Sequence, residues 1–131
     1  MIEWSHQGAG LDAKAGRSFK QSDLFGGQGD VHVRDLLEGK HAGPFAAALA
    51  CELGPKGMVG PHRQGEHAEI VICLDGQGTA TIDQTTHDLR PGTTLYLPLG
   101  AILSLKNTSD DKALSYLIIK ATPTPKATPT L

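Results

Sequence analysis

Residues 62–82 read HRQGEHAEIVICLDGQGTATI, and this stretch carries the strongest structural signal of the chain. It contains two apolar runs, residues 70–74 and 78–82, which are separated by the dipeptide Asp75-Gly76. An Asp-Gly dipeptide supplies the positive φ that a tight hairpin turn needs. The stretch therefore predicts a β-hairpin in which these two runs pair with each other.

The sequence on both sides of this stretch repeats the pattern of short apolar runs separated by turn residues. Short strands with a turn signal about every 8–12 residues are typical of β-sandwiches and β-barrels. The further strands predicted in this way are residues 31–34, 45–53, 93–97, 101–106 and 113–120. The alanines of residues 45–53 would also suit a helix, and residues 34–40 offer a short helical alternative. The pattern as a whole predicts an all-β chain.

Composition excludes several classes of protein. Lys and Arg number 12 against 14 Asp and Glu, and neither sign forms a block, so we expect no nucleic-acid partner. The apolar runs are far shorter than the ~20 residues that span a bilayer, and the N-terminus resembles no signal segment, so we expect no membrane partner. The only cysteines, Cys51 and Cys73, lie among aliphatic residues. We interpret them as buried thiols of a cytoplasmic protein, with a disulfide as the alternative.

The length of 131 residues fits one domain, because single cores commonly contain about 100–150 residues. We therefore expect a single domain over residues 1–131. Within it, residues 1–15 are Gly-rich and polar and form an N-terminal extension, and the core covers about residues 30–121. Residues 122–131 form a Pro/Thr-rich tail.

A polar cluster comes directly before the apolar run at residue 70. Residues 62–69 contain two imidazoles, an amide and two carboxylates. In an extended segment the side chains of His62 and Gln64 project to the same face, about 7 Å apart. Glu69 begins the buried strand and must be partnered, because a lone buried charge is costly. An imidazole, an amide oxygen and a carboxylate together can hold a divalent ion.

Two sets of residues resemble the sequence motifs of the cupins. The first motif of that family has a glycine, two histidines one residue apart, a glutamate and a second glycine. Here these places are held by Gly57, His62, Gln64, Glu69 and Gly76. The second motif has a glycine, a proline, a glycine, a histidine and an asparagine. Here its spacing is met throughout by Gly92, Pro98, Gly100, Leu103 and Asn107.

The resemblance implies a double-stranded β-helix, or jelly-roll, barrel that forms a homodimer. It also implies that two of the three histidines with which the family binds metal are replaced, by Gln64 and Leu103. His62 and Glu69 remain as strong metal ligands, and His67 is the other candidate nearby. The implied cofactor is therefore none, or a weakly bound Fe, Mn, Ni or Zn.

The leucine at position 103 also changes the character of the expected pocket. It shares a strand face with Ala101 and Leu105, so we expect it to point into the barrel and to favour a partly hydrophobic small molecule. Strand alternation allows Cys51 and Tyr116 to face inward as well. The predicted ligand pocket is lined by His62, Gln64, Glu69, Leu103, Cys51 and Tyr116.

These residues leave three functional hypotheses open. The leading one is a small-molecule-binding cupin with a degenerate metal site and an unidentified ligand. The first alternative is a metal-dependent enzyme, such as a dioxygenase or isomerase, that uses His62, Gln64 and Glu69. The second alternative is a structural or interaction module without a ligand, because a fold by itself does not determine a function.

Overall fold

The computed structural model describes residues 17–123, which form ten β-strands and one turn of 3₁₀ helix, Leu24–Gly26. In chain order the strands are β1 (Arg17–Ser22), β2 (Asp30–Asp35), β3 (Phe45–Leu53), β4 (Met58–Arg63), β5 (Ala68–Asp75), β6 (Gly78–Ile82), β7 (Thr85–Leu89), β8 (Thr94–Leu97), β9 (Ile102–Asn107) and β10 (Leu114–Ala121). The expectations for residues 1–15 lie outside the described part of the chain, as do those for residues 124–131 of the tail.

The strands form two antiparallel sheets. One has six strands in the order β1-β2-β3-β10-β5-β8, and the other has four in the order β4-β9-β6-β7. Buried apolar side chains from both sheets belong to a single core, so the sheets pack face to face. The predicted all-β jelly-roll barrel is confirmed. Within residues 17–123, no helix has the length and apolar character needed to cross a membrane.

Strand alternation positions the interior side chains as the sequence predicts. In β5, Glu69, Val71 and Cys73 are buried on one face, while Ile70 is exposed on the other. Around β9, Ala101, Leu103 and Leu105 are buried, while Lys106 is exposed. Residues 45–53 form strand β3, which decides against a helix in that stretch.

The hairpin predicted around Asp75-Gly76 is wrong. Strand β5 pairs with β10 and β8, whereas β6 pairs with β7 and β9, so the turn carries the chain from one sheet to the other. Gly76 does adopt a φ of +90°. A Cβ at this position would also lie 2.5 Å from the carbonyl oxygen of Ala113. Glycine is therefore required by the close approach of the chain before β10, in addition to the turn itself.

Three strands were not predicted from the sequence, and the helical alternative is also wrong. Strand β1 (RSFKQS) and strand β4 (MVGPHR) lack a clear alternation of apolar residues. Strand β7 (TTHDL) has no apolar residue before Leu89. Residues 36–39 form turns, in which Glu38 and Gly39 have positive φ. A right-handed helix cannot continue through two left-handed residues, so the predicted helical alternative does not form.

The buried amide of Asn107 joins three separate segments at one end of the barrel. Its Nδ2 lies 3.0 Å from the carbonyl oxygens of Leu53 and Gly54 and 2.8 Å from that of Lys112. Its Oδ1 accepts a 2.9 Å hydrogen bond from the backbone N–H of Ser109. This motif residue therefore ties the turn after β3 to the segment between β9 and β10.

The outer surface of the six-stranded sheet is apolar where β10, β5 and β8 lie side by side. Ile70 and Ile72 of β5 lie beside Leu117 and Ile119 of β10, and Ile70 also pairs with Tyr96 of β8. Ile70 is 39% exposed and Tyr96 is 65% exposed. This outer sheet surface is the part of the described chain where several large apolar side chains share one open face.

Candidate functional site

A cavity of about 250 Å³ lies between the two sheets. Most of its wall is apolar and comes from both sheets, as Val33 and Leu49 of the six-stranded sheet and Val59, Leu103 and Leu105 of the four-stranded sheet. Polar atoms enter this wall from a few side chains, which include His62, Glu69 and Lys120. An apolar cavity with a few converging polar groups is the usual form of a small-molecule site.

His62 reaches the cavity from strand β4. Its Nδ1 lies 3.1 Å from the carbonyl oxygen of Gly60, so this nitrogen carries the proton and donates the hydrogen bond. Burial lowers the pKa of His62, and the positive charge of Lys120 acts in the same direction. The neutral imidazole then presents Nε2 as a hydrogen-bond acceptor.

The first turn after strand β1 covers His62. The Phe25 ring stacks on the imidazole with centroids 4.1 Å apart and planes 15° from parallel. The backbone beneath this contact is tightly packed, because a Cβ on Gly60 would lie only 1.9 Å from the carbonyl oxygen of Phe25. Phe19 of β1 and Leu24 of this turn also line the cavity. This segment therefore forms one wall of the site.

Glu69 is the buried carboxylate of the cavity, at 3% exposure. Its Oε2 has no hydrogen-bond partner among residues 17–123. The Nζ of Lys120, the register partner of Glu69 across β5 and β10, lies 3.9 Å from this oxygen, which is beyond hydrogen-bond distance. Burial raises the pKa of Glu69, and the charge of Lys120 opposes that rise only in part.

Leu103 lies directly opposite His62 in the register of β9 and β4 and is only 1% exposed. Its side chain lines the cavity, as the spacing of the second motif predicts. The position at which the cupin motif has a histidine is thus occupied here by an aliphatic side chain facing the remaining imidazole.

Cys51 and Tyr116 also line the cavity. They are register partners on β3 and β10, and the Cys51 thiol donates to the carbonyl oxygen of Leu49. Burial raises the pKa of the Cys51 thiol to about 12 and places that of Tyr116 above its ordinary value. Cys73 pairs with the other side of Tyr116, so a full strand separates the two cysteines, and both are free thiols as expected.

Two predicted site residues lie away from this group. Gln64 is buried and bound through its backbone to Gly100 and Ala101, but its side chain is not part of the cavity wall. His67 lies outside the wall as well, with Nδ1 3.2 Å from the carbonyl oxygen of Ala121. The structure therefore brings together Cys51, His62, Glu69, Leu103 and Tyr116 of the predicted set.

The donor set does not fit a transition metal. Among residues 17–123, no three His, Cys, Asp or Glu side chains are grouped so that they could hold an ion. Near His62 and Glu69, the position that a third strong ligand would need is filled by Leu103. Transition-metal sites in proteins normally need three or four such ligands.

Sequence reasoning missed several contributors to the wall, among them Lys120, Phe19 and Phe25. Lys120 follows Tyr116 and Ile118 on the same face of β10, so strand alternation could have identified it. Phe19 and Phe25 belong to a segment without a period-two pattern. Nothing in their local sequence indicates that Phe19 lines the cavity or that Phe25 stacks on His62.

The chain is similar to several known proteins. It is 38% identical over 71 residues to dimethylsulfoniopropionate lyase DddW of Ruegeria pomeroyi, a match that covers 53% of this chain and 46% of that enzyme. The chain thus spans less than half the length of this curated relative. The match therefore does not show that this chain has the activity of the whole enzyme.

Two solved structures show the same fold at low sequence identity. A predicted oxalate decarboxylase from Thermotoga maritima has a TM-score of 0.74 at 19% identity, covering 86% of this chain and 98% of that one. A cupin-2 domain from Rhodospirillum rubrum has a TM-score of 0.67 at 21% identity, covering 98% and 82% respectively. The cupin domain family model, Cupin_2, matches residues 50–120, which include His62, Glu69 and Leu103. This chain therefore belongs to the cupin family.

Proposed function

We propose that this protein is a small-molecule-binding cupin whose metal site is degenerate. The observation that carries the proposal is the cavity between the sheets, in which His62, Glu69 and Lys120 lie within a mostly apolar wall. A barrel with only a structural role has no need to keep such a space beside a buried carboxylate, since unpaired buried polar groups reduce stability.

The size and lining of the cavity support a small, partly hydrophobic ligand. Its volume of about 250 Å³ lies just below the ~300–1,000 Å³ of typical ligand pockets. Leu103 and its aliphatic neighbours would contact the body of such a ligand, and the polar groups would bind its head. Burying one leucine-sized group against the wall contributes about 1.5–3 kcal/mol.

A metal-dependent enzyme is the second candidate, and the observation in its favour is the 38% identity to a lyase. It would rely on His62, Gln64 and Glu69 to hold Fe, Mn, Ni or Zn. The donor set described above weighs against it, because Gln64 does not line the cavity and Leu103 does. Elemental analysis of protein purified without chelator or tag metal tests this candidate, and stoichiometric metal would favour it over our proposal.

A cavity-filling variant tests the binding function. The wild-type protein is screened by ligand-detected NMR against small compounds that combine an apolar body with one polar group. We expect binders that are lost in Leu103→Phe, which fills the cavity, and kept in Ile102→Phe, which places the same ring on the opposite strand face. Equal melting temperatures of the variants show that both fold.

Two results would contradict the proposal. A folded wild-type protein that binds no compound would favour the structural or interaction module. Binders that Leu103→Phe does not affect would place their site outside the cavity.

We also propose that the chain forms a homodimer through the outer sheet surface. The exposed Ile70 and Tyr96 lie in one apolar face, and the cover of such a face by a second copy would remove it from water. Light scattering at micromolar concentration should give the mass of two chains, and Ile70→Glu should give the mass of one. A monomer mass for the wild type would overturn this proposal.

The cytoplasm is the compartment that we propose. Cys51 and Cys73 are both free and buried, and free thiols are typical of proteins in a reducing compartment. Cell fractionation tests the assignment, and recovery of the protein outside the cytoplasmic fraction would contradict it.

A further inference from the structure

We infer that the ligand of this cavity carries a protonated amine that binds to Glu69. The inference rests on the proposed function and specifies the class of compound that the site accepts. It depends on which hydrogen-bonding groups of the cavity wall already have partners and which do not.

The cavity presents acceptors that lack a donor. Glu69 Oε2 is buried and has no hydrogen-bond partner anywhere in the described residues. His62 uses its Nδ1 proton on the carbonyl oxygen of Gly60, which leaves Nε2 as a second acceptor. A buried acceptor without a donor costs about 1–3 kcal/mol, and more when it is charged. A ligand that donates hydrogen bonds would remove this cost.

No donor of the wall makes a hydrogen bond to Glu69 Oε2. The thiol of Cys51 donates to the carbonyl oxygen of Leu49 and interacts with the hydroxyl of Tyr116. The exposed amide of Gln21 also lines the cavity but does not satisfy this oxygen. Lys120 lies 3.9 Å from Glu69 Oε2 and its side chain is 31% exposed, so it weakens the field of the carboxylate without satisfying that oxygen. The ammonium group of a ligand can approach to the ~2.8 Å of a charge-assisted hydrogen bond, which Lys120 does not reach.

The same arrangement disfavours anionic ligands. A ligand carboxylate in the cavity would face the Glu69 carboxylate and the lone pair of His62, and only the Lys120 ammonium and the neutral amide of Gln21 would oppose this repulsion. The aliphatic wall formed by residues such as Leu49 and Leu103 suits the hydrocarbon body of an amine. The expected ligand is therefore a small alkyl or aryl amine.

Three compounds of matched shape test the inference: cyclohexylamine, cyclohexanol and cyclohexanecarboxylate. Their affinities are measured by NMR titration at pH 8 in phosphate buffer, because Tris is itself an amine. We expect the wild-type protein to bind the amine at least ~10-fold more tightly than the alcohol and to bind the carboxylate most weakly. Replacement of the charge in Glu69→Gln should weaken amine binding at least ~30-fold and change alcohol binding less than ~3-fold.

The alcohol separates a loss of recognition from a loss of structure. If Glu69→Gln weakened alcohol and amine equally, Glu69 would have a structural role and the inference would fall. Preferred binding of the alcohol or the carboxylate by the wild type would also overturn it, while leaving a small-molecule function in place. If none of the three bound although the broader screen found binders lost in Leu103→Phe, the amine would be the wrong class. Only a screen without cavity binders overturns the proposed function itself.

Discussion

Asn107 and Glu69 are both buried polar residues of the same barrel, but their surroundings differ completely. Asn107 is 0% exposed, and its amide contacts three carbonyl oxygens and one backbone N–H. Glu69 is 3% exposed, and within residues 17–123 its Oε2 has no hydrogen-bond partner. Both belong to the cupin motifs, so membership of a motif does not by itself indicate what a residue does.

The difference separates a structural role from a binding role. A fully satisfied buried amide stabilises the segments that it joins, because each of its partners would lose a hydrogen bond without it. A buried carboxylate beside a cavity lowers stability until something binds to it. We therefore expect substitutions at the two positions to have opposite effects on the free energy of unfolding.

The largest expected effect is that of Asn107→Leu. Loss of the amide leaves the carbonyl oxygens around it without their donor, so we expect the free energy of unfolding to fall by about 3 kcal/mol or more. Urea denaturation measures the change. The control is Lys106→Ala, at the exposed neighbouring position, which should stay within ~0.5 kcal/mol of the wild type. A loss below ~1 kcal/mol for Asn107→Leu would remove the contrast between the two residues.

The variant Leu103→His tests Glu69 by offering it a metal ion as a partner. Leu103 lies opposite His62, so the new imidazole would join His62 and Glu69. We expect Ni, Co or Zn to bind at least ~100-fold more tightly than to the parent, a change of about 2.7 kcal/mol. Calorimetric titration measures it. The metal-free variant should be less stable, because its new polar atoms are buried.

The control for the metal variant is Ile102→His, in which the histidine lies on the outer strand face. Equal metal affinities of the two folded variants would mean that the side chain at residue 103 does not face His62.

Cys51 is a third buried polar residue, and its effect on stability is expected at alkaline pH. Its pKa is raised from 9.0 to about 12, so above pH 9 the unfolded chain loses the thiol proton while the folded chain keeps it. Stability must then fall as pH rises from 9 towards 12, by up to ~1.4 kcal/mol per pH unit from this group. The Cys51→Ala variant should show a shallower loss in denaturation series at pH 8.5, 9.5 and 10.5. Parallel curves for both proteins would mean that the folded state does not protect this thiol.

The smallest expected effect is that of Glu69→Leu, which we expect to stabilise the protein by about 1 kcal/mol at pH 7. The folded-state pKa of Glu69 is raised, so the unfolded chain loses this proton first and the wild type loses stability as pH rises above 4.5. The advantage of the variant should therefore grow from pH 4.5 upward. Thermal denaturation across this range measures it, and a variant less stable than the wild type at pH 7 would contradict the role given to Glu69.

Local sequence was sufficient to determine which way the key interior residues point. Strand alternation predicted that Glu69 and Leu103 face inward, and both do. The face of a residue in a strand depends on its immediate neighbours, so this information lies within a few positions. The cupin motifs made it possible to predict the barrel, because their spacing reflects pairings between strands that lie far apart in the sequence.

The errors concern contacts between parts of the chain that lie far apart in sequence. An Asp-Gly turn looks the same whether the next strand returns beside the first or crosses to the other sheet, and here β5 pairs with β10 instead of β6. The contact of Phe25 with His62 depends on β1 joining β2 and on the turn that follows it. The side chain of Gln64 was expected to line the cavity, and it does not. Gln64 follows the end of β4, where the alternation of strand faces no longer applies.

The order of strands in the two sheets has a consequence for the behaviour of the protein in concentrated solution. In the described chain the edge strands of the six-stranded sheet are β1 and β8, and those of the four-stranded sheet are β4 and β7. Edge strands invite pairing with other molecules unless they are short or carry charges or proline. Here β1 carries Lys20, β4 contains Pro61, β7 carries Asp88, and β8 has only four residues. We therefore expect the folded barrel to resist edge-to-edge growth into fibres.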